Sequence, residues 1–152
     1  MNELVMLCGL PGSGKSTYAE KLKKKGYIIH SSDDTREQLG DINDQSKNEE
    51  VFRLLHKRIK DDLRDGKNVV YDATNISRKR RMAFLRELQN ISCKKVCVLI
   101  ATPYEMCVAQ NFKRERRVIC HDRCEAVCDT GHHNFPCETM VKVDTYRNCS
   151  VF

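Results

Sequence analysis

Long apolar runs are missing from this 152-residue chain. No stretch approaches the ~20 apolar residues that a spanning helix needs, which excludes a helical membrane protein. The first eight residues carry no basic segment and run directly into a glycine loop, so no signal peptide is expected. Low-complexity segments are also missing, and apolar residues recur throughout, which argues against extensive disorder. There is no internal repeat and no linker rich in proline, glycine or serine. The length suits one domain of ordinary size, about 100–150 residues, and residues 1–152 are expected to form it.

Cysteine, by contrast, is plentiful. There are nine, an odd number, whereas a secreted disulfide framework calls for an even count and a secretion signal. Reduced thiols in a cytoplasmic protein are the expectation. Lys plus Arg number 27 against 21 Asp plus Glu, a net charge of +6. A modest positive excess suits a polyanionic partner without requiring one. The basic residues gather at Lys21–Lys25, Arg78–Arg81 and Lys113–Arg117.

Strand and helix patterns alternate, which implies an α/β fold, a parallel sheet of about four to five strands flanked by helices. Strands are expected at Leu4–Cys8, Tyr27–Ser31, Asn68–Asp72 and Lys95–Ala101, with a further short one at Met140–Val143. Helices are expected at Lys15–Lys25, Asp33–Leu39, Ser46–Asp65, Arg78–Asn90 and Pro103–Phe112, and Arg117–Cys128 could be another. The Ser46 helix has the clearest pattern. Val51, Leu55, Ile59 and Leu63 recur every fourth residue, Ser46 and Glu49 have capping-box spacing, and Gly66 sits where a terminating glycine belongs. In the Arg78 helix, Met82, Leu85 and Leu88 are expected to face inward.

The strongest chemical signal is Gly9-Leu10-Pro11-Gly12-Ser13-Gly14-Lys15-Ser16-Thr17. Two glycines four residues apart, followed by Lys and Ser, make a phosphate-binding loop. Glycine lets successive N–H groups turn toward phosphate oxygens, and the following helix presents its positive end to the same anion. Lys15 is expected to reach the β- and γ-phosphates of ATP or another nucleoside triphosphate, and Ser16 to hold Mg²⁺.

Such a loop commits the fold and the nucleotide, not the reaction. Three further signals bear on that. Ser32-Asp33-Asp34-Thr35-Arg36 follows the second strand, where strand ends line the ligand crevice. A carboxylate there could orient an acceptor hydroxyl and take its proton, and Arg36 could clamp a substrate phosphate. The same carboxylates could equally cap a helix, and both roles can hold, with Asp33 at the crevice and Asp34 capping. Val69-Val70-Tyr71-Asp72 is an apolar strand ending in a carboxylate, suited to act on Mg²⁺ or its waters. Four cations at Arg78–Arg81 then open a helix at the wrong end for its dipole, a local conflict that favours function. Finally, Asn111-Phe112-Lys113-Arg114-Glu115-Arg116-Arg117 could supply arginines to a transferring phosphoryl group.

Together these residues resemble the kinase module of the polynucleotide 5′-hydroxyl kinases, over about Leu4 to Arg117. The glycine loop, Asp33-Asp34-x-Arg36, Thr74-Asn75 with Arg80-Arg81, and a lid carrying Asn111 and Arg114 bear the likeness. The resemblance implies transfer of the ATP γ-phosphate to the 5′-hydroxyl end of a nucleic acid. It implies Asp33 as general base, Arg36 on substrate phosphate, and Arg114 on the nucleotide phosphates. Asp72, Thr74, Asn75 and Arg81 fall on the substrate side, and the lid spans about residues 111–120. The chain departs from the phage form in having Ala73, not Asp, before Thr74-Asn75, and Gln110 where that form has a lid arginine. No Asp-x-Asp-x-Thr phosphatase signature is present. A kinase of the same fold acting on a small molecule, or a nucleotide-dependent binding module, would share the glycine loop.

The segment from residue 120 to 152 is rich in Cys and His, with Cys120, Cys124, Cys128 and Cys137 near His121, His132 and His133. On one helix, Cys120 and Cys128 would be about 12 Å apart along the axis, too far for one zinc with ~2.3 Å bonds. A set of Cys124, Cys128, Cys137 and one of the two later histidines stays open. A small apolar cysteine stripe is the expectation.

Overall fold

The computed structural model describes residues 1–40, 46–113, 139–143 and 150–151. Its centre is β1 (Glu3–Cys8), whose residues from Leu4 onward are all buried. A strand covered on both faces by helices must be apolar on both, so it reads as a continuous run rather than an alternation. β1 pairs in parallel with β3 (Val69–Asp72) on one side and β4 (Lys94–Ile100) on the other. β2 (Ile28–Ser31) lies outside β3, and β5 (Thr139–Val143) outside β4, both parallel. A two-residue β6 (Ser150–Val151) closes the far edge antiparallel to β5. Among the described residues the order is β2-β3-β1-β4-β5-β6: five parallel strands, within the expected four to five, and one short antiparallel strand beyond them. The extra strand is too short to leave a periodic signature.

The helices are α1 (Lys15–Lys23), α2 (Ser32–Gln38), α3 (Asn48–Arg64), α4 (Arg78–Glu87) and α5 (Tyr104–Phe112). Val51, Leu55, Ile59 and Leu63 of α3 are all at most 2% exposed and form the buried face its spacing predicts. Gly66, at φ 77°, ends α3, with the Lys67 amide donating back to the Asp62 carbonyl. The expected capping box does not form. Lys47 is the N-cap and makes no side-chain cap bond. The helix opens instead at Asn48, whose side-chain oxygen accepts from Arg36 of α2 at 2.7 Å, so a contact between helices marks its start.

The inward line of α4 also differs from expectation. Arg81, Phe84 and Leu88 are buried, while Met82 is only half-buried and Leu85 packs at the edge of the core. An arginine takes an inward position here because its guanidinium donates to the carbonyls of Asn75 (2.5 Å) and Ile76 (2.7 Å). A pattern read from apolar residues alone cannot register that.

Candidate functional site: a phosphate-loop cleft

β1, β2 and β3 all point their C-terminal ends at one edge of the sheet, and the glycine loop emerges there. Gly12 and Gly14 have φ of 82° and 97°, in the left-handed region that only glycine enters cheaply. Gly12 also passes close to α5: a β-carbon there would lie 2.3 Å from the Cys107 carbonyl oxygen. The loop is tied down by the Thr102 hydroxyl donating to the Ser13 carbonyl at 2.7 Å and the Gly9 amide donating to the Thr74 carbonyl at 3.1 Å. Lys15 is 8% exposed, and its ammonium donates to the carbonyls of Gly9 (3.0 Å) and Leu10 (2.7 Å).

A cleft of about 200 Å³ opens in front of the loop. Pro11, Gly12, Gly14, Lys15 and Ser16 line one side. Asp33, Arg36, Asp72 and Thr74 line the other. Gly9 and Ser13 are buried behind it, and Thr17 is exposed on α1 without lining it. The cleft thus gathers a lysine, the hydroxyl residues Ser16, Ser32 and Thr74, two carboxylates and two arginines, Arg36 and Arg80.

Ser16 Oγ donates to Asp72 Oδ2 at 2.9 Å. These are two oxygen donors of the hard kind that Mg²⁺ takes, on either side of the loop's mouth. Burial raises the Asp72 carboxyl above its ordinary range, and Asp33 and Asp34 raise it further, while Ser16 and Lys15 pull it back. A raised folded-state pKa means the protonated form is favoured in the fold. Stability is then highest below the ordinary carboxylate range and is lost as pH rises through the folded value. Asp72→Asn, which still accepts from Ser16, should therefore melt higher than the parent at pH 7 without divalent ions, by about 2–4 °C per kcal/mol relieved. The gap should close as pH falls through the carboxylate range. An unchanged or lower melting temperature at pH 7 would show that the buried charge costs nothing.

The two neighbouring aspartates separate clearly. Ser31, the last residue of β2, is the N-cap of α2. Its hydroxyl oxygen accepts from the amides of Asp33 (3.1 Å) and Asp34 (3.4 Å). Asp34 therefore does not cap the helix, contrary to expectation, since the serine has taken that place. Asp34 is exposed and outside the cleft lining, whereas Asp33 lies in the cleft with Oδ1 3.4 Å from Arg36. Arg36 is 6% exposed and held from its other side by Asn48.

Not every residue singled out in the sequence faces the cleft. Asn75, at φ 49°, turns its amide away to donate to the Leu7 carbonyl at 2.8 Å. Arg81 is spent on the two loop carbonyls. Both brace the β3–α4 turn and line the space next to the cleft, between α3 and α4. Arg80, its neighbour, is exposed and lines the cleft instead. Asn48 and Phe52 of α3 line it too, and sequence reading did not mark them. Phe52 carried one available signal, a large apolar residue beside the strict i+4 stripe and not on it. Arg114, the expected lid beyond Lys113, and the Cys/His-rich segment lie outside the described residues, apart from β5 and β6.

Comparison with known proteins now decides the family. A profile described as an AAA domain matches residues 4–135. The chain belongs to the AAA domain family. Within it, the fold is that of the P-loop kinases: an α/β architecture with a parallel sheet flanked by helices. A solved RNA repair complex, Pnkp1/Rnl/Hen1, superposes with a TM-score of 0.74 at 20% identity, over 84% of this chain and 44% of that one. The Mycobacterium tuberculosis APS kinase CysC, solved with AMPPNP and APS, gives 0.58 at 24% identity, over 74% and 69%. A sugar kinase from Janibacter gives 0.64 at 18%, over 97% and 88%. An Arabidopsis thaliana protein named transcription factor bHLH140 is 30% identical over 111 residues, which cover 73% of this chain and 11% of that protein. The chain thus spans about a tenth of that relative and less than half of the repair-complex chain. A chain of an RNA repair complex, an APS kinase and a sugar kinase thus share this chain's fold. Among the described residues, no helix is long and apolar enough to cross a membrane, and no cluster of His, Cys, Asp and Glu could hold a metal ion by itself.

Proposed function

We propose that this chain is a phosphotransferase that moves the γ-phosphate of ATP to the 5′-hydroxyl of a nucleic acid. The observation that carries it is Asp33: a carboxylate in the first turn of α2, just past β2, in the same cleft as Lys15 and Ser16, with Arg36 beside it. A hydrolase needs to orient only water. A kinase needs a base and an acceptor clamp facing the phosphate loop, and Asp33 and Arg36 in this cleft support that reading. The acceptor oxygen attacks the γ-phosphorus, the bond to the β–γ bridging oxygen breaks, ADP leaves, and the hydroxyl proton passes to Asp33. Lys15 and the loop amides neutralise charge on the transferring group. Ser16 and Asp72 would hold Mg²⁺, directly or through its waters, and the ion would add to that neutralisation when bound. Arg114 is assigned to the nucleotide phosphates from the lid.

Incubation with γ-labelled ATP and oligonucleotides ending in 5′-OH or 5′-phosphate tests the reading. Label should appear only on the 5′-OH ends; none on either would refute it. The likeness to APS and sugar kinases supports a second reading, a small-molecule acceptor, and salt separates the two. The net charge of +6 and the exposed Arg78, Lys79 and Arg80 support contact with a phosphate backbone. Each phosphate contact on a single strand adds about −0.7 to the slope of log affinity against log salt. Two contacts should give roughly −1.4 or steeper for the oligonucleotide KM, with the ATP KM as control. A flat oligonucleotide dependence would favour the small acceptor.

A further inference from the structure

A second and larger cavity, of about 660 Å³, adjoins the phosphate-loop cleft between α3 and α4. Asn48, Phe52, Thr74 and Arg80 line both, so the two spaces share a rim. Their linings differ. The cleft is charged. The larger cavity is walled by Phe52 and His56 of α3, Tyr71 of β3, Ile76 of the β3–α4 turn, and Ala83 and Phe84 of α4.

The rings among these form one cluster. His56 stacks on Phe84 with centroids 4.1 Å apart and planes 30° off parallel, and meets Tyr71 and Phe52 edge-on. Its Nε2 is 2.9 Å from the Tyr71 hydroxyl and its Nδ1 3.7 Å from Glu87, which fixes the imidazole plane. Burial lowers the His56 pKa, reinforced by Lys60 and opposed by Glu87, so at neutral pH the wall is an uncharged ring.

A volume of this size falls in the range of small-molecule sites, about 300–1,000 Å³. An aromatic wall whose exposed surface is mainly apolar, edged by Asn48, Glu49, Asn75, Arg80 and Glu87, matches a flat heteroaromatic ring, which takes stacking on its faces and hydrogen bonds at its edge. A bare sugar or phosphate would be poorly served by it. Arg80 at the shared rim can meet a phosphate attached to the same ligand.

We propose that this cavity holds the nucleobase of the acceptor's terminal nucleoside, against Phe52 and the His56 ring, while its 5′-hydroxyl lies at Asp33. The assignment rests on the kinase reading above and names the part of the acceptor that the enzyme grips.

The test compares two single-stranded 5′-OH oligonucleotides that differ only in whether the first residue carries a base or is abasic. Under saturating ATP the abasic end should raise KM by roughly 10- to 100-fold, the scale of one lost base stack. The ratio of the two KM values should collapse toward one in Phe52→Ala, and also in Ala83→Leu, which fills the cavity from an exposed position. A 2-aminopurine placed at the 5′ end gives a readout that needs no catalysis: its fluorescence should be quenched on binding the parent and not the Ala83→Leu protein. A nucleoside 3′-phosphate used as acceptor reports a free small molecule in the same pocket. Equal KM values for base-bearing and abasic ends in the parent, or quenching that persists in Ala83→Leu, would overturn the pocket assignment while leaving the kinase intact. Quenching lost in Ala83→Leu but no phosphate transfer to any acceptor would uphold the pocket and overturn the kinase.

Discussion

Lys15→Ala should lower phosphoryl transfer at least ~10³-fold with the fold intact. The ammonium is 8% exposed and is anchored by two loop carbonyls at the mouth of the cleft. It is therefore a prepaid positive charge at the place where the β- and γ-phosphates would sit. Charge placed in advance costs no reorganisation during transfer, and removing such a group typically costs several kcal/mol of barrier, with each ~1.4 kcal/mol worth a factor of ten. Losing these two bonds should not unfold the loop. The loop is also held by Thr102 and by the Gly9–Thr74 amide bond, neither of which passes through Lys15. Turnover under saturating ATP and acceptor, with circular dichroism as the fold control, decides it. Near-normal turnover in a folded Lys15→Ala protein would remove the loop from the chemistry.

What could be read from the sequence follows from which constraints are local. The glycine loop demands particular residue types in consecutive order, so it is legible, and so are the strand before it and the helix after it. The i+4 stripe of α3 is equally local, and all four of its residues are buried. Departures occur where a contact outside the periodic pattern decides. Ser46 could have capped α3, but the helix starts where Asn48 meets Arg36. Arg81, expected on the substrate side, takes an inward place on α4 because the β3–α4 turn presents two carbonyls to it. The aromatic cavity is assembled from α3, β3 and α4, whose ring-bearing residues run from position 52 to position 84. No window short enough to carry a periodic signal contains it.

Asp33→Asn should cut kcat by ~10²–10⁴, while Asp34→Asn leaves it nearly unchanged. Asparagine keeps the size of Asp33 and some of its hydrogen bonding but cannot accept the acceptor's proton. ATP affinity should change little, because the phosphate loop is untouched. The contrast with Asp34 rests on the cap. Ser31 directs the first turn of α2 by accepting from the amides of both aspartates, and that turn leaves Asp33 in the cleft and Asp34 outside it. Partial desolvation raises the Asp34 carboxyl even though the residue is exposed, and Asp33 and Glu37 raise it further, while Lys23 opposes them. Neutralising Asp34 therefore relieves repulsion among three acids of one short helix. Since it is not the cap, Asp34→Asn should be neutral or slightly stabilising, not a loss of ~1 kcal/mol as for a lost N-cap. Ser31→Ala should show that loss. Both aspartate variants are measured at saturating ATP and 5′-OH oligonucleotide. An inactive Asp34→Asn beside an active Asp33→Asn would reverse the assignment. Activity in both would leave the acceptor hydroxyl without a base in this cleft and would favour a nucleotide-dependent binding module over a kinase.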